Sequence, residues 1–265
     1  MFNCFPVLFL FGRGGRRLLG MCGRYVQSRT LGWIADQQRA ILPEGVVVRE
    51  SFNVAPTSTV PVIVERPDEH GELHREVRPA RWGLLPSWAK DSKMSYKTFN
   101  ARSETVTEKP TFRAAVRSQR CGIPATAYYE WLKDGDRKIP HAIRPVDHDQ
   151  DILFAGLWES WTDPATGEVI PSCTILTGAS PEHGSGGVLD ELAGLHDRLP
   201  LPLDEDVRDV WLAPERLEKA DVAGLVEQVR SQAFEVASRW EIYEVSRDVG
   251  NVRNNSPALL QPIAH

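Results

Sequence analysis

The 265-residue sequence is short of cysteine, of basic charge and of long apolar runs. Its four cysteines (Cys4, Cys22, Cys121, Cys173) lie far apart and form no CxxC pair. That excludes a zinc ribbon or a disulfide framework and fits a reducing cytoplasm. No apolar stretch approaches the ~18 residues of a membrane span, so no membrane association is expected. Against 36 Asp+Glu stand 31 Lys+Arg, a net charge of −5. A general basic coat for nucleic acid is thereby excluded, while a local basic groove is not. Internal repeats and low-complexity linkers are also missing. What is present is a globular composition, 42% hydrophobic and 25% charged, with enough chain to bury a substantial core.

The first twenty residues differ from the rest. They contain Arg13, Arg16 and Arg17 and no acid, which leaves 28 basic and 36 acidic side chains, a charge of −8, for residues 21–265. A secretory signal places positive charge before its apolar stretch; here it follows. Residues 1–20 therefore read as a non-native or disordered leader, and residues 21–265 as one domain opening at Met21.

After Met21 the chain alternates short strand-like runs with short helices, which predicts an α+β domain on a mixed, largely antiparallel sheet. Ser28 to Leu42 has helical spacing stopped by Pro43. Val60–Glu65 and Glu76–Arg78 predict strands joined through the Pro67–Gly71 turn. Ile152–Trp158 and Cys173–Thr177 predict a second hairpin around Thr162–Gly167. Leu203–Leu212 and Pro214–Val229 predict helices, the latter entered through Pro214. Ile242–Val245 predicts a last strand, and the Gly-rich Ser180–Gly187 a mobile loop.

Two features stand out chemically. Lys97–Arg120 holds six basic residues (Lys97, Arg102, Lys109, Arg113, Arg117, Arg120) against Glu104 and Glu108, a local +4 in an acidic chain. With eight tryptophans in the sequence, it reads either as a solvated face or as a groove with stacking platforms for single-stranded nucleic acid. The second feature is Met21-Cys22. If translation starts at Met21 and the methionine is removed, Cys22 exposes a 1,2-aminothiol. Its amine condenses with an aldehyde to an imine, and its thiol then closes a thiazolidine. The ordinary alternative is a buried structural cysteine.

The motifs MCGRY (21–25), SFNVAPTSTVPVI (51–63), RWGLLPSWAKD (81–91), FNARSET (99–105), AYYEW (127–131), FAGLWE (154–159), LHDRLP (195–200) and VSRDVGNVRNNSP (245–257) occur in series. In order and spacing they closely resemble the SRAP family, the SOS response-associated peptidases that process abasic sites in DNA. The resemblance runs from Met21 to Pro257 and implies a single SRAP-like domain with a barrel-like sheet core and surrounding short helices. It also implies a protein that removes its own initiator methionine and crosslinks itself to single-stranded DNA at abasic sites, with peptidase and lyase-type activity.

By the same resemblance Cys22 is the nucleophile, with Asn100, Glu130 and His196 as its catalytic partners. The residue types suit those tasks. Glu130 can accept and return protons at the amine, and His196 can donate a proton to the sugar ring oxygen. Asn100 can orient the terminal residue without titrating. Arg24, Arg102 and Arg198 are the candidate phosphate contacts, and Trp82, Trp88 and Trp131 the candidates for stacking on bases. Asn53, Pro56 and Thr177 match family loops that line the cleft. Each has an ordinary alternative: a buried carboxylate for Glu130, a surface ion cluster with Asp197 for His196, a turn for Asn100, core packing for any tryptophan. Leu199 stands where relatives usually carry Met, a volume-conserving change.

No metal or organic cofactor is implied, and a clamp on one strand needs no partner subunit, so a monomer is expected. The protein is expected in the cytoplasm, on the nucleoid when bound to DNA. The competing readings are a non-covalent single-strand binder and a Cys-dependent peptidase acting on other proteins. If residues 1–20 are retained, Cys22 has an amide in place of an amine and the thiazolidine cannot form.

Overall fold

The computed structural model describes residues 23–263, which form an α+β fold. The expectations for Met21, Cys22 and the leader lie outside the described residues.

The first predicted hairpin is present as β3 (Thr59–Pro67) and β4 (Leu73–Trp82), in continuous antiparallel register from Thr59↔Arg81 to Pro67↔Leu73. Its turn is closed by Asp68, whose carboxylate accepts the backbone N–H groups of His70 and Glu72. The second is β9 (Ile152–Thr162) and β10 (Val169–Ala179), paired from Thr162↔Val169 to Gly156↔Ile175. Strand β6 (Arg120–Ala125) joins β3 on one side and β9 on the other. A short parallel pairing, Ser172↔Arg81 and Cys173↔Trp82, then ties β10 to β4. The ring β10–β4–β3–β6–β9 is thus a closed five-strand barrel, which leaves these strands few free edges.

Beyond the barrel rim β10 continues. There it takes β5 (Asn100–Arg102) alongside in parallel, and β11 (Arg198–Pro200) alongside in antiparallel. A second, antiparallel sheet packs nearby in the order β12–β8–β7–β1–β2. Its strands are β1 (Tyr25–Gln27), β2 (Ser51–Val54), β7 (Ala127–Asp134), β8 (Arg137–Pro145) and β12 (Trp240–Glu244).

The helices deviate from expectation mainly at their ends. Helix α1 spans Leu31–Gln38, capped by Thr30 and closed by Arg39 in the left-handed conformation, so it ends before Pro43 is reached. A four-residue α2 (Ala115–Ser118) precedes β6, and α3 (Val188–Leu195) precedes β11. The α4 helix (Glu205–Leu212) begins after Asp204, whose side chain accepts from Val207 N–H. The next helix, α5, is Lys219–Ala237 and does not start at Pro214. The reason is Arg120, 3% exposed, whose guanidinium donates to the carbonyls of Trp211, Ala213 and Glu215. Those bonds tie the end of α4 to the residues after it and hold the 213–215 segment open as a loop. The same contacts correct the reading of the 97–120 stretch as one basic face. Arg120 is interior, and Arg117 is bound to the Leu217 carbonyl and Glu218. Lys97, Arg102, Lys109 and Arg113 remain exposed.

No helix among the described residues is long and apolar enough to cross a membrane.

Candidate active site

Two sets of the expected residues are assembled by different sheets. The first gathers on the extension of β10. Parallel pairing sets Asn100 beside Ile175 and Arg102 beside Thr177, while antiparallel pairing sets Arg198 beside Ala179. Thr177 is fully buried between them, and its carbonyl accepts from Ser103 N–H (2.9 Å) and from Arg198 Nη2 (2.7 Å). Asn100, Arg102, Thr177, His196 and Arg198 thereby share one corner of the molecule.

The second set belongs to the other sheet. Strand β1 pairs with β7 through Tyr25↔Tyr128, and Tyr129 N–H donates to the Arg24 carbonyl at 3.0 Å. Glu130 is the next residue of β7 after Tyr129. Glu130 is 4% exposed and lies across from His141 of β8; Trp131 beside it is half-buried.

The two sets are joined by packing. Helix α3 leads directly into His196 and packs against β7, the strand that carries Glu130. Three rings supply a second link. Tyr25 meets Trp82 edge-on at 5.0 Å, Trp82 meets Phe99 at 5.7 Å, and Trp82 Nε1 donates to the Phe99 carbonyl, next to Asn100. This role corrects the expectation that Trp82 stacks on a base. It is 0% exposed, and no ligand reaches it without dismantling the core. Trp88, by contrast, is exposed.

The arginines have specific partners. Arg24 Nη1 donates to Asn53 Oδ1 (2.8 Å) and to the Val249 carbonyl (2.7 Å), and burial lowers its pKa from the ordinary value. Asn53 itself donates to the carbonyls of Val249, Asn251 and Asn254. Together they fasten the 249–254 segment beside β1. Arg198 gives both arms of its fork to Glu104, at 2.5 and 2.9 Å. Burial pushes the Glu104 carboxyl up, but the hydrogen bonds and charge of Arg198 outweigh it and hold the pKa below its ordinary value. Arg102 is exposed at the end of β5.

His196 follows the last residue of α3 in extended conformation. Its Nδ1 accepts the backbone N–H of Arg198 at 3.0 Å and lies 3.1 Å from an Asp197 carboxylate oxygen. In the neutral ring Nδ1 is thus the acceptor and Nε2 carries the proton. The loop before α3 is tied down: Asp190 accepts from Gly184 and Gly186 N–H.

Pro56 lies in the turn between β2 and β3. The next residue, Thr57, has φ 77°, a conformation that β-branched residues rarely adopt, and its N–H donates to the Trp82 carbonyl at 2.7 Å. Cys121 and Cys173 are buried, and burial pushes both thiols well above their ordinary pKa. Neither is a nucleophile at neutral pH. Among the described residues no group of His, Cys, Asp and Glu is arranged to hold a metal ion.

The residue that sequence reasoning missed is Glu104. It lies inside the FNARSET motif, yet an acid beside a DNA site reads as an obstacle until its partner is known.

Comparison with known proteins gives the family. A family model described as SOS response associated peptidase (SRAP) matches residues 21–252. The abasic site processing protein YoqW of Bacillus subtilis is 36% identical over 244 residues, covering 91% of this chain and 99% of that protein. The abasic site processing protein HMCES of Gallus gallus is 30% identical over 278 residues, covering 92% and 78%. A crystal structure of a Bacteroides thetaiotaomicron protein superposes with a TM-score of 0.72 at 24% identity, over 92% of this chain and all of that one, a likeness of fold. The chain belongs to the SOS response-associated peptidase (SRAP) family.

Proposed function

We propose that this protein, once it begins at Cys22, attaches itself covalently to abasic sites in single-stranded DNA. The Cys22 amine attacks the aldehyde of the ring-opened deoxyribose and water leaves as the imine forms. The Cys22 thiolate then adds to the imine carbon while the nitrogen takes up a proton, closing the thiazolidine. Glu130 handles protons at the amine, His196 delivers one from Nε2 to the ring oxygen as the sugar opens, and Asn100 orients the reacting residue. Removal of Met21, and strand cleavage through the imine, belong to the same set of groups.

The observation that carries the reading is the pairing of β1 with β7, which sets Arg24, two residues after Cys22 in the sequence, against Tyr129, the neighbour of the buried Glu130. The inert state of the other two described cysteines supports it. Phosphate contact falls chiefly to Arg102, which has no competing partner among the described ion pairs. Arg24 and Arg198 reach a phosphate with the donors that Asn53 and Glu104 leave over.

The test is the intact mass of protein beginning at Cys22 after incubation with single-stranded DNA bearing an abasic site. The expected mass is that of protein plus DNA less one water, stable to heat. Cys22→Ser is expected to give only a reversible imine, since the hydroxyl closes the ring poorly. An unchanged mass overturns the reading.

A further inference from the structure

His141 lies outside the eight sequence motifs, and two strand registers fix its place. On β8 it stands directly opposite Glu130 of β7 on one side and Glu244 of β12 on the other. Directly opposed residues of antiparallel strands project from one face, with Cβ atoms about 5 Å apart. That face turns toward the barrel. Tyr128 and Ile143, at alternate positions from Glu130 and His141, belong to its core, where Leu192 and Leu195 of α3 also pack. The sheet thus carries a row of carboxylate, imidazole and carboxylate. Glu130 in this row is buried, and His141 and Glu244 are half-buried.

The imidazole is oriented by its own strand, with Nδ1 3.0 Å from the Ile139 carbonyl. A carbonyl only accepts, so Nδ1 carries a proton and Nε2 is the atom that gains or loses one. The nearby cations of β7, β8 and the 247–250 turn are placed elsewhere. Arg144 turns to the reverse face, where its guanidinium lies over Tyr243 and bonds to Glu241. The 247–250 turn, with Arg247 and Asp248, packs on that reverse face through Val249 beside Ala142. Lys133 and Lys138 stand at the exposed end of the β7–β8 hairpin. Helix α3 brings two acids, Asp190, held by Gly184 and Gly186 N–H, and the exposed Glu191. His196 after it has Nδ1 engaged by Arg198 N–H.

Burial favours the neutral form of a carboxyl, and a second carboxylate nearby does the same, whereas a cation favours the ionised form. Burial and Glu244 therefore both oppose an ionised Glu130, and His141 is the member of the row that can support it. Histidine changes charge near neutral pH, and charge acts through protein more strongly than through water. We propose that His141 is a positioning residue for the reaction: as an imidazolium it holds Glu130 in the ionised form that takes a proton from the reacting residue. The assignment rests on the proton role given to Glu130 above.

The test replaces His141 by a neutral and by a permanently charged side chain, His141→Gln and His141→Lys, in protein beginning at Cys22 and labelled with carboxyl-13C glutamate. The Glu130 carboxyl signal, assigned by its loss in Glu130→Gln, is titrated by NMR without DNA. Its midpoint should rise by about one pH unit in His141→Gln and stay at or below the native midpoint in His141→Lys. Crosslinking of the Gln variant relative to the Lys variant should then fall about fivefold between neutral pH and about pH 5, a ratio from which titration of other groups largely cancels. The proposal is overturned if Glu130 titrates alike in the native and Gln proteins. It is also overturned if both variants move the midpoint equally, the result of a packing role without charge, or if the rate ratio is flat with pH. Failure of the crosslinking reading is seen separately, as an unchanged mass of native protein with abasic DNA, and leaves the NMR titration readable.

Discussion

Arg198 and Glu104 form a bidentate ion pair, 2.5 and 2.9 Å, and the same arginine contributes the backbone N–H that His196 Nδ1 accepts. The pair therefore acts on the histidine through the chain. With its fork locked to Glu104 and Thr177, Arg198 presents its N–H at a fixed place, which orients the His196 ring through Nδ1. Glu104→Ala should slow crosslinking about tenfold, with Glu104→Gln intermediate because it retains one acceptor. The pH dependence has a definite sign. A carboxyl with a depressed folded-state pKa stabilises above its unfolded pKa, and the contribution is lost as pH falls through the folded value. The stability gap between the native protein and Glu104→Gln should hold at neutral pH and close in the acid range below the ordinary carboxylate pKa. Melting curves from neutral pH downward check this; a gap that widens in acid contradicts it.

Asn53 is the fastener of the 249–254 segment, with three backbone carbonyls on Nδ2 and Arg24 on Oδ1. Asn53→Ala should cost about 2–3 kcal/mol, since it strands buried acceptors and removes one acceptor from the Arg24 guanidinium. Faster amide exchange confined to residues 249–254 and β1 is the expected signature.

Arg102, exposed on β5, should behave as a phosphate contact and little else. Arg102→Gln should weaken single-strand binding uniformly across sequences and reduce the salt slope by about 0.7. An Arg198→Gln variant should instead lower the crosslinking rate at saturating DNA. Equal behaviour of the two variants would contradict the division of labour drawn from their partners.

Arg120 donates to five carbonyls, those of Val116, Arg117, Trp211, Ala213 and Glu215. Replacing it by Met leaves these acceptors without their charged donor and should destabilise the fold by about 3 kcal/mol. DNA affinity per folded molecule should not change. A salt slope altered by Arg120→Met would restore it to the basic groove.

The sequence by itself determined a good deal. Both hairpins were legible because apolar runs and their turn residues are local signals, and eight motifs in series identified the family. Helix α1 and β12 were also legible, short of their ends. What sequence could not decide was the partner of each charged or aromatic side chain. Arg24, Arg120 and Arg198 read alike as free cations, and Trp82 and Trp88 read alike as stacking rings. Only the tertiary fold separates them, by bringing Glu104 to Arg198, the end of α4 and the loop after it to Arg120, and Tyr25 and Phe99 to Trp82. Pairing and burial depend on contacts between residues remote in sequence, and those contacts turn a cation into a strut and a tryptophan into core.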